Sequence, residues 1–123
     1  MSKSFLLVGG SSDIARHLAT MLLADGHSVT LLARDADRVA GLVEQGAEFV
    51  QGDALDEEAV QSAVAHAAEH GEGGLAGMAH LVGSIALRPP HATKVEDFTA
   101  VINTNLTSAF LALKTAGKAM LKL

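Results

Sequence analysis

A glycine-rich turn near the N-terminus is the stretch whose residue types and spacing best fit binding chemistry. It joins the apolar run of residues 5–8 to a helical pattern, and its members are Gly9, Gly10, Ser11, Ser12, Asp13 and Ile14. Glycine lets the backbone approach a ligand closely, and the first N–H groups of a helix point at an anion with the positive end of the helix dipole behind them. The turn therefore predicts a phosphate site; the alternative is a strand-to-helix turn that holds no ligand.

The elements that position this turn follow a strand and helix rhythm that repeats four times. The sequence predicts strands at residues 4–8, 27–33, 47–51 and 77–82. It predicts a helix after each of them: at residues 13–24, through Val39 up to Gly46, after an N-cap at Asp56, and at about residues 95–121. This alternation predicts an α/β fold in which crossover helices flank a parallel sheet.

Apolar residues at helical spacing indicate one face of each helix. The predicted stripes are Ile14, Leu18, Met21 and Leu22 in the first helix, Val39, Leu42 and Val43 in the second, Val60, Ala63, Val64 and Ala67 in the third, and Phe98, Ile102, Leu106, Ala109, Phe110 and Leu113 in the last.

Composition excludes several classes of function. A chain of 123 residues, 49% of them hydrophobic, is long enough for one domain, which we assign to residues 1–123. It has no Cys, which removes disulfides and thiolate chemistry. Its net charge of −5 and the absence of Trp and Tyr argue against nucleic acid as a partner. The sequence has neither a membrane-length apolar run nor a leader pattern, so we expect a cytoplasmic protein that does not bind membranes.

With four such units, the sequence resembles the N-terminal half of a short-chain dehydrogenase/reductase. That family's motif, Thr-Gly-x-x-x-Gly-x-Gly, aligns with residues 8–15, where Gly9 matches and Ala15 keeps a small residue. The resemblance implies a Rossmann-type sheet of strand order 3-2-1-4 and a nicotinamide dinucleotide as ligand. Ala33 and Arg34 stand where the family has an acidic ribose ligand for NAD or an arginine for the 2′-phosphate of NADP, so the resemblance favours NADP over NAD.

The resemblance also implies roles for residues that follow the third and fourth strands. Asp53 and Ala54 resemble the acidic pair that contacts the adenine, with an ordinary turn aspartate as the alternative. Gly83 matches the glycine of the Asn-Asn-Ala-Gly motif, in which His80 replaces the first asparagine, and we interpret His80 as structural. Asn105 matches the asparagine of the family's catalytic group, with a satisfied interior amide as the alternative.

Members of the family run to about twice this length, and their catalytic serine and Tyr-x-x-x-Lys pair lie beyond the last predicted helix. We therefore expect the cofactor-binding half of an oxidoreductase that is inactive alone. Two alternatives remain open: a non-catalytic nucleotide-binding module and a fragment that needs a partner chain. An open fourth strand and surplus apolar residues in the last helix, Leu111, Met120, Leu121 and Leu123, predict a homo-oligomer.

One pair of histidines has the spacing of metal ligands. His66 and His70 lie four residues apart on one helical face, with Glu69 and Glu72 nearby, and such a pair binds zinc when a third ligand converges. Histidines in the last turn of a helix are also favoured by the helix dipole, and we prefer that interpretation. We therefore assign no metal site from the sequence.

Overall fold

A computed structural model describes residues 2–121 of the chain. Its strands and helices alternate as follows: β1 (Ser4–Val8), α1 (Asp13–Ala24), β2 (Ser28–Ala33), α2 (Ala36–Glu44), β3 (Glu48–Gln51), α3 (Glu57–Glu69), β4 (Leu75–His80), α4 (Val95–Ile102) and α5 (Ser108–Leu121). A short 3-10 turn, Pro90–Ala92, precedes α4, and a π-helical segment, Asn103–Thr107, joins α4 to α5.

The four strands form one parallel sheet in the order β3-β2-β1-β4, which confirms the predicted Rossmann-type topology. Helices cover both faces, so the central strands are almost entirely apolar rather than alternating. One core cluster joins the sheet to α1 and α2 through residues such as Leu7, Leu31 and Val39. The other joins it to α3 and α5 through residues such as Leu6, Val60 and Ala112.

The fourth strand lies earlier in the chain than predicted. It spans Leu75–His80 rather than residues 77–82, because pairing with β1 begins at Leu75 and ends where Val8 meets His80. Leu81 donates one further backbone hydrogen bond to Val8, and the chain then leaves the sheet. Residues 81 and 82 therefore lie beyond the carboxyl end of the sheet. The second and third strands each begin one residue later than predicted, because parallel pairing begins at Ser28 opposite Ser4 and at Glu48 opposite Thr30.

The predicted stripes of the first two helices are wrong in part. Ile14 and Met21 of α1 are exposed, and the residues that α1 buries are Ala15 and Ala19. In α2, Val39 and Leu42 are buried but Val43 is exposed. The small side chains of α1 let it approach the sheet closely. The stripe of α3 is confirmed, since all four of its predicted residues are buried.

The predicted long helix at residues 95–121 is helical throughout, but it is interrupted by the π-helical segment and its large apolar residues face outward. Ser108, Ala112 and Ala116 are buried instead, and Phe98, Ile102, Leu106, Phe110 and Leu113 are exposed. A π-helical turn holds more than the 3.6 residues of an α-helical turn, so it shifts the face that α5 presents to the sheet. Of the surplus residues, Leu111 is half-buried, Met120 and Leu121 are exposed, and Leu123 lies outside the described residues.

Among residues 2–121, no helix is long and apolar enough to cross a membrane.

Candidate functional site

A cleft of about 280 Å³ opens at the carboxyl ends of the strands. It lies where the strand order reverses between β1 and β4, which is the usual ligand position in open α/β sheets. Its walls come from the turn after β1 (Gly9, Ser11, Ser12), the segment after β2 (Arg34, Arg38), the segment after β3 (Asp53, Ala54, Leu55), the segment after β4 (Leu81, Val82, Gly83) and the last helical region (Thr104, Ser108).

Gly9 is required at the first position of the turn for two reasons. Its φ of +88° lies in the left-handed region that side chains rarely adopt. A Cβ at this position would also lie 2.8 Å from Val82 Cγ2 and 3.0 Å from the carbonyl carbon of Leu81. At Gly10, which does not line the cleft, a Cβ would lie 2.8 Å from the Cβ of Leu31. Both glycines keep the turn against the sheet and leave the cleft open.

The turn ends at a capped helix N-terminus. Ser12 Oγ accepts a hydrogen bond of 3.1 Å from the N–H of Ala15, and this bond begins α1 beside the cleft. The N–H groups of Asp13 and Ile14 belong to the open first turn of this helix. Neither side chain lines the cleft: that of Asp13 is 91% exposed, 3.7 Å from Arg16 Nη1, and Ile14 is exposed. The roles predicted for these two residues therefore rest on their backbone.

Two guanidinium groups border the cleft after β2. The sequence predicts Arg34 at this place. Arg38, one helical turn later, also lines the cleft and is not among the predicted residues, although its spacing of four residues from Arg34 is the signal that could have found it. Both arginines also line a second, more open depression next to the cleft. Within residues 2–121, no carboxylate lies within ion-pair distance of Arg34. Asp35 accepts a hydrogen bond from the N–H of Asp37 and lies 3.9 Å from Arg38.

Asp53 and Ala54 lie in the cleft wall as the resemblance implied. Asp53 also has the turn role that was the alternative, because its Oδ1 accepts a hydrogen bond of 2.9 Å from the N–H of Leu55. The two roles are compatible, since a carboxylate held in a turn keeps a second oxygen that can accept a hydrogen bond.

Asn105 lies behind the cleft wall rather than in it. Its Oδ1 accepts from the N–H of Ser84 at 3.1 Å, and its Nδ2 donates to the carbonyls of Ser84 at 3.0 Å and Val101 at 2.9 Å. A Cβ on Gly83, which lines the cleft, would lie 3.2 Å from this Oδ1. Both ends of the Asn105 carboxamide therefore have hydrogen-bond partners, as the alternative of a satisfied amide requires. These bonds fix the segment that follows β4.

His80 and Ser108 form a pair that sequence reasoning missed in part. His80 Nε2 lies 2.7 Å from Ser108 Oγ, and that hydroxyl donates to the Thr104 carbonyl. His80 therefore carries a proton on Nε2 and donates to Ser108, and burial lowers the pKa of this imidazole. The structural role predicted for His80 has an identified partner in α5. No pattern in the sequence predicts that Ser108 is buried, because its burial depends on the π-helical segment before it.

Comparison with known proteins identifies the family of this fold and cleft. The family model described as short chain dehydrogenase matches residues 3–123. The chain belongs to the short-chain dehydrogenase family. Proteins of this family bind nicotinamide dinucleotide cofactors, as the resemblance implied.

Relatives of known sequence and structure are similar over nearly the whole chain. A 3-oxoacyl-[acyl-carrier-protein] reductase, MabA, of Mycobacterium bovis is 32% identical over 120 residues, which cover 98% of this chain and 46% of that protein. An inactive 2-(S)-hydroxypropyl-CoM dehydrogenase 2 of Xanthobacter autotrophicus is 32% identical over 85% of this chain and 46% of that protein. The solved short-chain type dehydrogenase/reductase of Mycobacterium ulcerans superposes with a TM-score of 0.89 at 24% identity, covering 99% of this chain and 49% of that chain. This short-chain dehydrogenase sequence spans about half the length of these relatives.

Proposed function

We propose that this chain supplies the cofactor-binding part of an NADP-dependent short-chain oxidoreductase acting on a carbonyl or hydroxyl substrate. The observation that carries the proposal is the pair of arginines, Arg34 and Arg38, at the cleft after β2. When bound, the dinucleotide supplies the hydride-transfer chemistry. The residues of this chain bind and orient it.

The residues at the end of β2 support a phosphate ligand. Ala33, the last residue of β2, is 5% exposed and offers no side-chain acceptor for ribose hydroxyls. Arg34 presents a planar set of donors that matches a phosphate group. Asp35, the nearest carboxylate in sequence, is engaged with Asp37 and Arg38. The local charge therefore favours a 2′-phosphate over a free 2′-hydroxyl.

The turn after β1 supports a pyrophosphate ligand. Gly9 lines the cleft with backbone alone, and Ser12 starts α1 there, so the helix dipole favours an anion. Asp53 and Ala54 form the wall beyond β3 that we propose for the adenine. Asn105, in our proposal, acts through the segment that it holds at Gly83 and Ser84.

Calorimetric titration with NADPH and NADH tests the choice of cofactor. We expect NADPH to bind more tightly, and Arg34→Glu to reverse the order, because a charge-assisted hydrogen bond contributes about 1.5–3 kcal/mol, or roughly 10- to 150-fold in affinity. Arg88→Glu is the matched control, since Arg88 lies outside the cleft and 3.5 Å from Asp97. Equal affinities of the parent chain for the two cofactors would contradict the proposal.

The proton donor that the family resemblance implies is the tyrosine of a Tyr-x-x-x-Lys pair, and these 123 residues include no Tyr. We therefore expect a polypeptide of this sequence to bind NADPH without reducing carbonyl compounds above background. Turnover that follows the purified chain and disappears in Asn105→Ala would show that the mechanism transferred from the family is wrong.

A second candidate function is nucleotide binding without catalysis. Reading the gene beyond codon 123 separates the two candidates. A Tyr-x-x-x-Lys sequence in the continuing frame supports the oxidoreductase, and a stop codon supports the binding module.

We further propose that the protein self-associates through β4, the last helical region, or both. β4 is an edge strand of the described sheet, and large apolar side chains of α4 and α5 are exposed.

A further inference from the structure

Three metal-ligating side chains converge at the end of the sheet opposite the cleft. Glu48 is the first residue of β3, and His66 and His70 lie at the C-terminal end of α3. His70 Nε2 lies 3.0 Å from Glu48 Oε1, and His66 Nε2 lies 3.8 Å from Glu48 Oε2. Their ligand atoms all lie within 4.8 Å of one another. Helical spacing does not reveal this third ligand, because Glu48 is 18 residues before His66 in the chain.

A hydrogen bond of the His70 ring directs one of its lone pairs at the centre of this cluster. His70 Nδ1 lies 2.7 Å from the carbonyl of His66, an acceptor, so Nδ1 carries the proton and the neutral ring keeps its lone pair on Nε2. That lone pair faces a carboxylate oxygen, which is also an acceptor. His66 Nε2 is buried from solvent and has no hydrogen-bond partner. The Glu48 carboxylate, the Nε2 lone pair of His70 and the unpartnered Nε2 of His66 therefore face one another, and a cation between them would satisfy all three.

We propose that Glu48, His66 and His70 bind a divalent transition metal such as Zn²⁺. Two imidazoles and one carboxylate are a common zinc ligand set, and imidazole favours Zn²⁺, Ni²⁺ or Cu²⁺ over Mg²⁺ or Ca²⁺. Ligand atoms of a tetrahedral site with bonds of about 2.1 Å lie roughly 3.4 Å apart, between the two distances to Glu48 observed here. The bond from His70 Nδ1 to a backbone carbonyl is the kind of contact that orients metal-binding imidazoles.

Protonation of the imidazoles is the competing way to place positive charge in this cluster. The two rings are stacked with their centroids 4.4 Å apart. A proton on His70 Nε2 would pair that ring with Glu48 Oε1 but would leave His66 Nε2 without a partner. One metal ion satisfies all three groups at once. The side chains of Glu48 and His70 are 44% and 36% exposed, so an ion and a water as fourth ligand can enter from their side, while His66 Nε2 is buried.

Such an ion would join β3, an edge strand, to the end of α3. Binding to the folded state alone raises the stability of that state, so the site is a structural clamp on the sheet edge. The cleft begins after Gln51 at the other end of β3, roughly 10 Å from Glu48 at about 3.3 Å per residue. Metal binding is therefore independent of the cofactor.

Titration of chelator-treated protein with ZnCl₂ tests the site. We expect saturable binding of one Zn²⁺ per chain, a rise in Tm with Zn²⁺ but not with Mg²⁺, and a Co²⁺ visible spectrum typical of tetrahedral coordination. His66→Gln, His70→Gln and Glu48→Gln should each weaken Zn²⁺ binding at least tenfold. His17→Gln and His91→Gln, at exposed positions outside the cluster, are matched controls that should retain it.

The test does not depend on the variants alone, because stoichiometry and the Co²⁺ spectrum are measured on the unchanged chain. Absence of saturable Zn²⁺ binding overturns the proposal. Binding that survives Glu48→Gln undiminished also overturns it, since that result indicates a two-histidine surface site without the strand. Unchanged NADPH affinity with and without Zn²⁺ is expected, and a tenfold change would contradict the separation of the two sites.

Discussion

Asn105 pairs with the backbone of Ser84 through two hydrogen bonds, one donated in each direction. The carboxamide thus replaces the strand neighbour that residue 84 lacks once β4 has ended. A third bond to the Val101 carbonyl fixes the same side chain to its own helix, inside the π-helical segment. The path of Gly83 past the cleft is therefore set by a residue that does not itself line the cleft.

Removing this side chain should destabilise the chain and loosen the segment after β4. We expect Asn105→Ala to lower the free energy of unfolding by about 0.5–1.5 kcal/mol, because the backbone groups of Ser84 lose their partners and, being exposed, are solvated by water instead. Urea denaturation measures the loss, and hydrogen exchange at Ser84 locates it. Asn103→Ala is the control, since its Oδ1 accepts from the Thr107 side chain within the same helix. Equal losses in the two variants would contradict the role of Asn105 in holding the loop.

A methyl group at Gly9 should be far more harmful than one at Gly41. Gly9→Ala combines a positive φ with a 2.8 Å approach to Val82, and we expect it to cost about 1–3 kcal/mol or more. Gly41 lies within α2 with no atom near its added Cβ, so Gly41→Ala should stabilise by about 0.4–1 kcal/mol. Thermal melts of the two variants check the opposite signs. Loss of stability in both would argue against the open space at Gly41.

The topology and the family could be predicted from sequence, because strand and helix signals and the glycine turn are local. The buried faces of α1 and α5 could not. In both helices Ala lies on the sheet and larger residues such as Ile14 and Phe110 lie outside, because close approach to a sheet rewards small side chains. A prediction from hydrophobicity alone places the large apolar residues on the sheet, which is the opposite of what the structure shows.

Two features of the sites depend on contacts between distant residues and left no local signal. The π-helical segment turns Ser108 toward His80 of β4, 28 residues away in sequence. Glu48 reaches His70 only because β3 and α3 are adjacent. By contrast, most residues that line the cleft follow strands directly, and seven of the predicted residues line it: Gly9, Ser11, Ser12, Arg34, Asp53, Ala54 and Gly83.

The neutral His80 should make stability depend on pH. Burial lowers its pKa in the folded chain below the ordinary 6.5, so the unfolded chain binds the proton more readily as the pH falls. The part of the free energy of unfolding that depends on neutral His80 is fully present above pH 6.5, and it is lost as the pH falls from there through the pKa of His80 in the folded chain. We expect His80→Gln to remove this part of the dependence of the free energy of unfolding on pH. Denaturation at pH 8, 7, 6 and 5 measures it, with exposed His17→Gln as the control; parallel curves for parent and His80→Gln would contradict the prediction.

Self-association is expected through an outer stripe on the last helical region. It consists of large apolar residues at helical spacing that are exposed by 62%, 39%, 64%, 60% and 66%, respectively: Phe98, Ile102, Leu106, Phe110 and Leu113. Contiguous apolar surface of this kind is rare on monomers and marks interaction sites. The like surface of a second copy is a complementary partner, since a two-fold axis brings identical patches together.

Light scattering at micromolar concentration should therefore give a mass above the 12.6 kDa of one chain. Phe110→Glu should reduce the mass to that of a monomer, because burying an unpaired carboxylate opposes association. Met21→Glu is the control, since Met21 is an equally exposed apolar residue of α1, away from the outer stripe. An assembly that survives Phe110→Glu would indicate pairing through the β4 edge instead. A monodisperse parent at 12.6 kDa would contradict self-association altogether.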